Sequence, residues 1–184
     1  ELDDLMETVM ARIGGKIKAE PNLSPLPTPA GAAKAGAAPP GLYAHAAGGR
    51  AYAFHTSPTV AQYLQSEDTL QPLLLPFNPD QIVYCKGAFL VLNAGEDAAP
   101  AFASFIKHSG CAPKIALVQG MGLFALGANQ HEADTALALF LDAVKIACYA
   151  AAFGGPLPLT RAFTDFILNW EVENYRQKVS LAAK

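Results

Sequence analysis

Two apolar, β-prone runs at 114–119 and 123–127, KIALVQ and LFALG, are separated by a glycine-rich bend and followed closely by a strong helix start. The bend reads Gly120-Met121-Gly122-Leu123-Phe124-Ala125, which matches the G-x-G-x-x-A dinucleotide fingerprint. That fingerprint needs glycines for close approach of a pyrophosphate, a helix opening inside the motif, and an acidic residue closing the next strand. Here the residues after Gly122 are apolar and uncapped, and the helix start comes only at Asn129, with Glu132 three residues on. Asp142, roughly where the ribose-binding acid belongs, falls inside a helical pattern. The stretch therefore reads as strand, tight turn, strand, helix, with the glycines at 120 and 122 supplying positive φ or close backbone packing.

The rest of the chain alternates in the same way. LDDLMETVMARI spaces Leu2, Leu5, Met6, Val9, Met10 and Ile13 as a helix does. Residues 1–19 form this helical unit, and residues 20–41 are so rich in Pro, Ala and Gly that they read as a linker or extended surface arm. From residue 42 to 184 strands and helices alternate. AYAFH reads as a short buried strand, and Ser57-Pro58 opens the helix PTVAQYLQS. QIVYC and AFLVLN read as two β-rich runs about Lys86-Gly87. A helix ending at Gly110 turns Phe102, Phe105 and Ile106 inward, and a long helix runs from Asn129 to Phe153. The tail holds Phe163, Phe166, Ile167, Trp170 and Val179 on a helical stripe, with Trp170 packed inward. The expected class is α/β, a three-layer Rossmann-like sandwich with a mixed, mostly parallel sheet.

Composition narrows the chemistry. At 184 residues with net charge −3 the chain suits one domain, and it lacks the basic face of a nucleic-acid binder. The apolar stretch 133–153 is interrupted by Asp134, Asp142 and Lys145, a poor membrane span. Cys85, Cys111 and Cys148, widely spaced and odd in number, favour reduced thiols and a cytoplasmic setting. Neither a thiolate nucleophile nor a serine elbow is indicated.

In their order, Asn78-Pro79-Asp80-Gln81-Ile82-Val83-Tyr84-Cys85-Lys86, then Lys114 to Gly127 with Ala133, then Phe166 to Lys178, these segments resemble the class II aldolase/adducin family. They are most similar to the central region of bifunctional rhamnulose-phosphate aldolase/short-chain dehydrogenase proteins, and the resemblance runs from about Gly41 to the C-terminus. It implies the C-terminal region of a class II aldolase-like protein acting on sugars or sugar phosphates, a lyase if the whole is an enzyme. The family's zinc site uses His-x-His-Pro and a later Asn-His-Gly. Here His55-Thr56-Ser57-Pro58 lacks the second histidine, and Gln119-Gly120-Met121-Gly122 stands where the other would be. The expectation is therefore no cofactor within this chain, any zinc lying in an upstream domain before Glu1, and a scaffolding or completing role here. The implied partners are that upstream domain or further copies in a homo-oligomer, with a sugar-type small molecule as ligand.

The ligand-binding candidates are His55, Lys86, Gln119, Gly120, Gly122, Glu171 and Tyr175. His45, His55, His108 and His131 show no metal-ligand spacing. His55 reads first as a hydrogen-bonded strand-end residue and second as a site residue. Lys86 reads first as a turn lysine and second as an anion contact at a strand end. Glu171 and Tyr175 read as surface groups of the tail or as a carboxylate–tyrosine cluster. Two alternatives to the aldolase role stand: a small-molecule or phosphate-binding module, and a structural or oligomerisation domain.

Overall fold

The computed structural model describes residues 1–29, 51–170 and 179. Its centre is the hairpin read above. Strand β3 (Ile115–Val118) turns through Gly120, with φ 72°, into β4 (Gly122–Gly127), and Met121 N donates to the Val118 carbonyl across the turn. So short a connection can only give an antiparallel pair. Strand β1 (Ala51–His55) lies antiparallel on the other side of β4, Ala53 opposite Ala125 and His55 opposite Leu123. Strand β2 (Leu90–Leu92) pairs with β3 in parallel, Leu92 opposite Val118.

The sheet order is β1-β4-β3-β2. Two of its three pairings are antiparallel, so the sheet is mixed rather than mostly parallel. A Rossmann-like sheet repeats β-α-β crossovers. Among the described residues only the unit joining β2 to β3 through a helix has that form. The finer expectation is thereby corrected to a mixed α/β sheet with helices on both faces.

Side chains alternate across the sheet as the pleat requires. Ile115, Leu117, Leu123 and Ala125 point to one face, against Ala136, Phe140, Val144 and Ala147 of the long helix Gln130–Ala150. Ala116, Val118, Phe124, Leu90 and Leu92 point to the other, against Ala98 and Phe102 of the helix Ala98–Ser109. Among the described residues the α-helices, in chain order, are α1 (Leu2–Gly14), α2 (Pro58–Tyr63), α3 (Glu67–Leu70), α4 (Pro79–Cys85), α5 (Ala98–Ser109), α6 (Gln130–Ala150) and α7 (Arg161–Asn169).

Local chemistry sets most of the boundaries. Ser57 Oγ accepts from Val60 N, Asp97 from Ala99 N, and Asn129 Oδ1 from Glu132 N, each satisfying a donor that the first helical turn leaves free. Ser66 and Thr69 form a reciprocal capping box at α3. Gly110 ends α5 in the left-handed conformation. By length and composition α6 with the turn after it (130–153) could cross a membrane, at mean hydropathy 1.8. Its interrupting charges do not disqualify it on that test. Its inner stripe nonetheless packs on the sheet, as the core helix of a layered domain does.

Several expectations are corrected. QIVYC is the helix α4, not a strand: Asn78 caps it by accepting from Gln81 N, and Pro79 sits in its first turn. Gln81, Ile82, Val83 and Cys85 are all buried between α6 and α7, so the run shows no polar face and mimics a buried strand. β1 is an edge strand in which only Ala53 is buried. Ile106 is exposed while Phe102 is buried. On α7 the inward residues are Thr164 and Ile167; Phe163, Phe166 and Trp170 are exposed, the last two stacked at 5.7 Å.

The Pro-rich arm lies along the domain over its described part. Leu26 N donates to the Thr56 carbonyl, Asn22 N to Thr59 Oγ1 and Thr59 N back to the Asn22 carbonyl. Tyr149 Oη donates to Glu20 at 2.6 Å, and Leu23 packs on the core.

Candidate functional site

The end of β1, the hairpin turn and the end of β2 meet at one edge of the sheet. Gln119 N donates to the Leu92 carbonyl, carrying the parallel ladder one step past β3. Gly122 sits under β1: a Cβ there would lie 2.7 Å from the His55 carbonyl oxygen and 2.8 Å from the Phe54 ring. Only glycine lets the turn approach the neighbouring strand this closely.

The arm crosses above this edge, and between them lies an open cleft of about 420 Å³. Leu26, Pro27 and Pro29 of the arm form one wall; Gln119, Gly120, Met121 and Gly122 form the facing one. Thr56, Ala61, Leu64, Gln65 and Ala94 complete it. None of these side chains is ionisable. The polar groups available are the Gln65 and Gln119 amides, the Thr56 hydroxyl and turn backbone, a set that hydrogen-bonds neutral hydroxyls and carbonyls.

Three of the sequence candidates, Gln119, Gly120 and Gly122, thus share the cleft wall. His55 stands directly beside it in chain and in space. Its ring donates to the Leu23 carbonyl of the arm, and its Nε2 is buried without a hydrogen-bond partner. Burial lowers its pKa below the usual 6.5, with the Leu23 contact opposing more weakly. The contact with Leu23 makes it a hydrogen-bonded strand-end residue, with one nitrogen holding the arm and the other left without a partner.

Lys86 does not join them. It ends a helix, with φ 73°, and precedes β2, whereas Gln119 follows β3. Because β2 and β3 run parallel, the two residues lie at opposite ends of the sheet. The strand-end argument for Lys86 rested on QIVYC being a strand and falls with it. Next to it, Gly87 packs against Thr164 of α7. Glu171 and Tyr175 lie outside the described residues, as does His45.

Among the described residues no three His, Cys, Asp or Glu side chains converge as a metal would require. No family model matches the sequence, and no curated protein does. Among solved structures the chain is similar to an aldolase II superfamily protein from Pseudomonas syringae, at 14% identity and a TM-score of 0.44. The match takes in 71% of this chain and 54% of that one, so the chain spans about half that protein's length. A likeness this distant carries no statement about activity.

Sequence reasoning missed the arm's share of the site. Leu26, Pro27 and Pro29 sit in a stretch whose composition reads as a linker, and only their packing makes them a wall. The one available signal was Asn22-Leu23-Ser24, where Ser24 N donates to Asn22 Oδ1 in a local turn.

Proposed function

We propose that this chain is the C-terminal region of a class II aldolase-like protein acting on sugars or sugar phosphates, and that it completes that protein by holding the uncharged part of the substrate. The observation that carries this reading is the neutral cleft on the Gln119–Gly122 turn. In sequence this turn stands where the resembled family has Asn-His-Gly, and no imidazole lines it. The order of the three resembling segments supports the family assignment. The absence of ionisable groups from the described walls favours hydroxyl-bearing carbons over a phosphate.

A ligand that binds only the native state raises the melting temperature. Thermal-shift measurements with neutral ketoses and polyols, sugar phosphates, inorganic phosphate and NAD(P) test the reading. Neutral sugars should raise Tm, and Met121→Trp, which fills the cleft, should abolish the rise. A shift confined to phosphate-bearing compounds and unaffected by Met121→Trp overturns it. The same cleft would serve a free-standing small-molecule module. Sugar binding without any dependence on a second polypeptide segment for turnover favours that second reading.

A further inference from the structure

The arm is seated on one short stretch of the domain. Asn22 N donates to Thr59 Oγ1 at 2.8 Å, Thr59 N to the Asn22 carbonyl at 3.2 Å, and Leu26 N to the Thr56 carbonyl at 2.9 Å. Pairing 22 with 59 and 26 with 56 runs the arm antiparallel to the chain between β1 and α2. A second hold lies farther back, where Tyr149 of α6 donates to Glu20 at 2.6 Å. The seat is firm and the arm is lightly held: Thr56, Ser57 and Thr59 are buried, whereas no residue from 20 to 29 is. A segment held by a few hydrogen bonds and little buried surface opens at low free energy.

We propose that residues 22–29 are a strap coupled to the cleft: ligand is held only while the arm is seated, and bound ligand tightens the seat. This rests on the cleft reading above. Leu26 is both a seated residue and a wall residue, and Pro27 and Pro29 continue the wall directly from it. The bonds at Asn22 and Leu26 therefore set where that wall stands opposite Gln119 and Met121. A ligand that touches both walls favours the seated arm, and linkage makes the effect reciprocal. Pro21, Pro25, Pro27 and Pro29 preset φ and keep an unseated arm extended, so reseating orders little further backbone. A weakly bound ligand is then enough to shift the balance.

Amide hydrogen exchange of the full chain, read by NMR at Asn22 and Leu26 with and without D-fructose or xylitol, tests this. At ten times the Kd, exchange at both amides should slow about tenfold, because exchange there requires an open arm. Gly110, whose amide closes α5 at the other end of the sheet, should not change. Met121→Trp should remove the effect, which separates cleft binding from a general osmolyte action. Thr59→Val deletes the Asn22 acceptor and Tyr149→Phe the Glu20 contact, and neither residue lines the cleft. Each should weaken binding of the two compounds about fivefold. Thr59→Ser keeps the hydroxyl and should bind as the parent does. Circular dichroism checks that each variant is folded, and Tyr149→Phe, which removes only a hydroxyl, carries the test if Thr59→Val is not. Binding that leaves exchange at Asn22 and Leu26 unchanged, or that the folded arm variants leave untouched, overturns the strap while the cleft reading stands. No Tm rise with either compound fails the cleft reading, and the strap with it.

Discussion

Lys114, just before β3, forms an ion pair with Glu132 in the first turn of α6, with only 18% and 11% of the two side chains exposed. Glu132 also accepts from Ala128 N at 2.5 Å, so one carboxylate ties the strand's start, the loop and the helix N-terminus together. Removing one member of a mostly buried pair strands the other, at a cost near 3 kcal/mol. Lys114→Met and Glu132→Gln should each lower stability by about 2–4 kcal/mol, and the double variant by much less than the sum. Urea denaturation of the four proteins checks this; simple additivity would mean that the pair contributes no coupling.

The two turn glycines should differ. Gly120 has open space where a Cβ would go, so Gly120→Ala costs only the left-handed backbone, about 1 kcal/mol. Gly122→Ala adds a collision with β1 and should cost about 3 kcal/mol or more. Equal losses in thermal denaturation would contradict the close approach described above.

His55 makes stability and arm docking depend on pH. Its folded pKa lies below the ordinary 6.5 because burial disfavours the charged ring. The unfolded chain therefore binds the proton more readily, and stability rises with pH through this window. The contribution is fully present above pH 6.5 and is lost as pH falls through the folded value. Thermal melts at pH 7.5 and 5.5 should show a larger acid loss for the parent than for His55→Gln. Limited proteolysis near Leu23 should quicken at the lower pH in the parent alone.

The three thiols should react in sequence. Cys111 is exposed, while Cys148 is partly covered, its pKa raised by burial and by Glu20. Cys85 is fully buried, donates to the Ala136 carbonyl, and is pushed up to about 12 by burial despite Lys114 nearby. Because the thiolate is the nucleophile, a disulfide reagent at neutral pH should modify Cys111 first, Cys148 slowly and Cys85 only on unfolding. Labelling of Cys85 at a rate like that of Cys111 would show that the α4–α6 packing opens in the native state.

Much of the fold was legible where short-range chemistry decides it. Ser57, Asn129, Gly110 and the Gly120–Gly122 bend each act within three or four residues, so their identity marks a helix start, a helix end or a hairpin before any packing is known. QIVYC was misread because burial on nearly every side erases the periodicity that separates helix from strand. The decisive cue, Asn78-Pro79, was local and was outweighed by the β-branched run behind it. The site was half legible. Gln119, Gly120 and Gly122 follow from the turn, but Lys86 was read at the end of a strand where the chain forms the helix α4.

By itself the sequence determined the capped helix starts at Ser57 and Asn129, the helix end at Gly110, and that the glycine bend turns a strand back rather than opening a helix on a phosphate. Caps, turns and side-chain period are properties of neighbouring residues. Tertiary structure alone decided that β1 lies antiparallel to β4, that His55 and Gly122 meet, and that Leu26, Pro27 and Pro29 line a cleft. Those contacts join residues tens of positions apart, and their energies come from burial and close approach that no local stretch encodes.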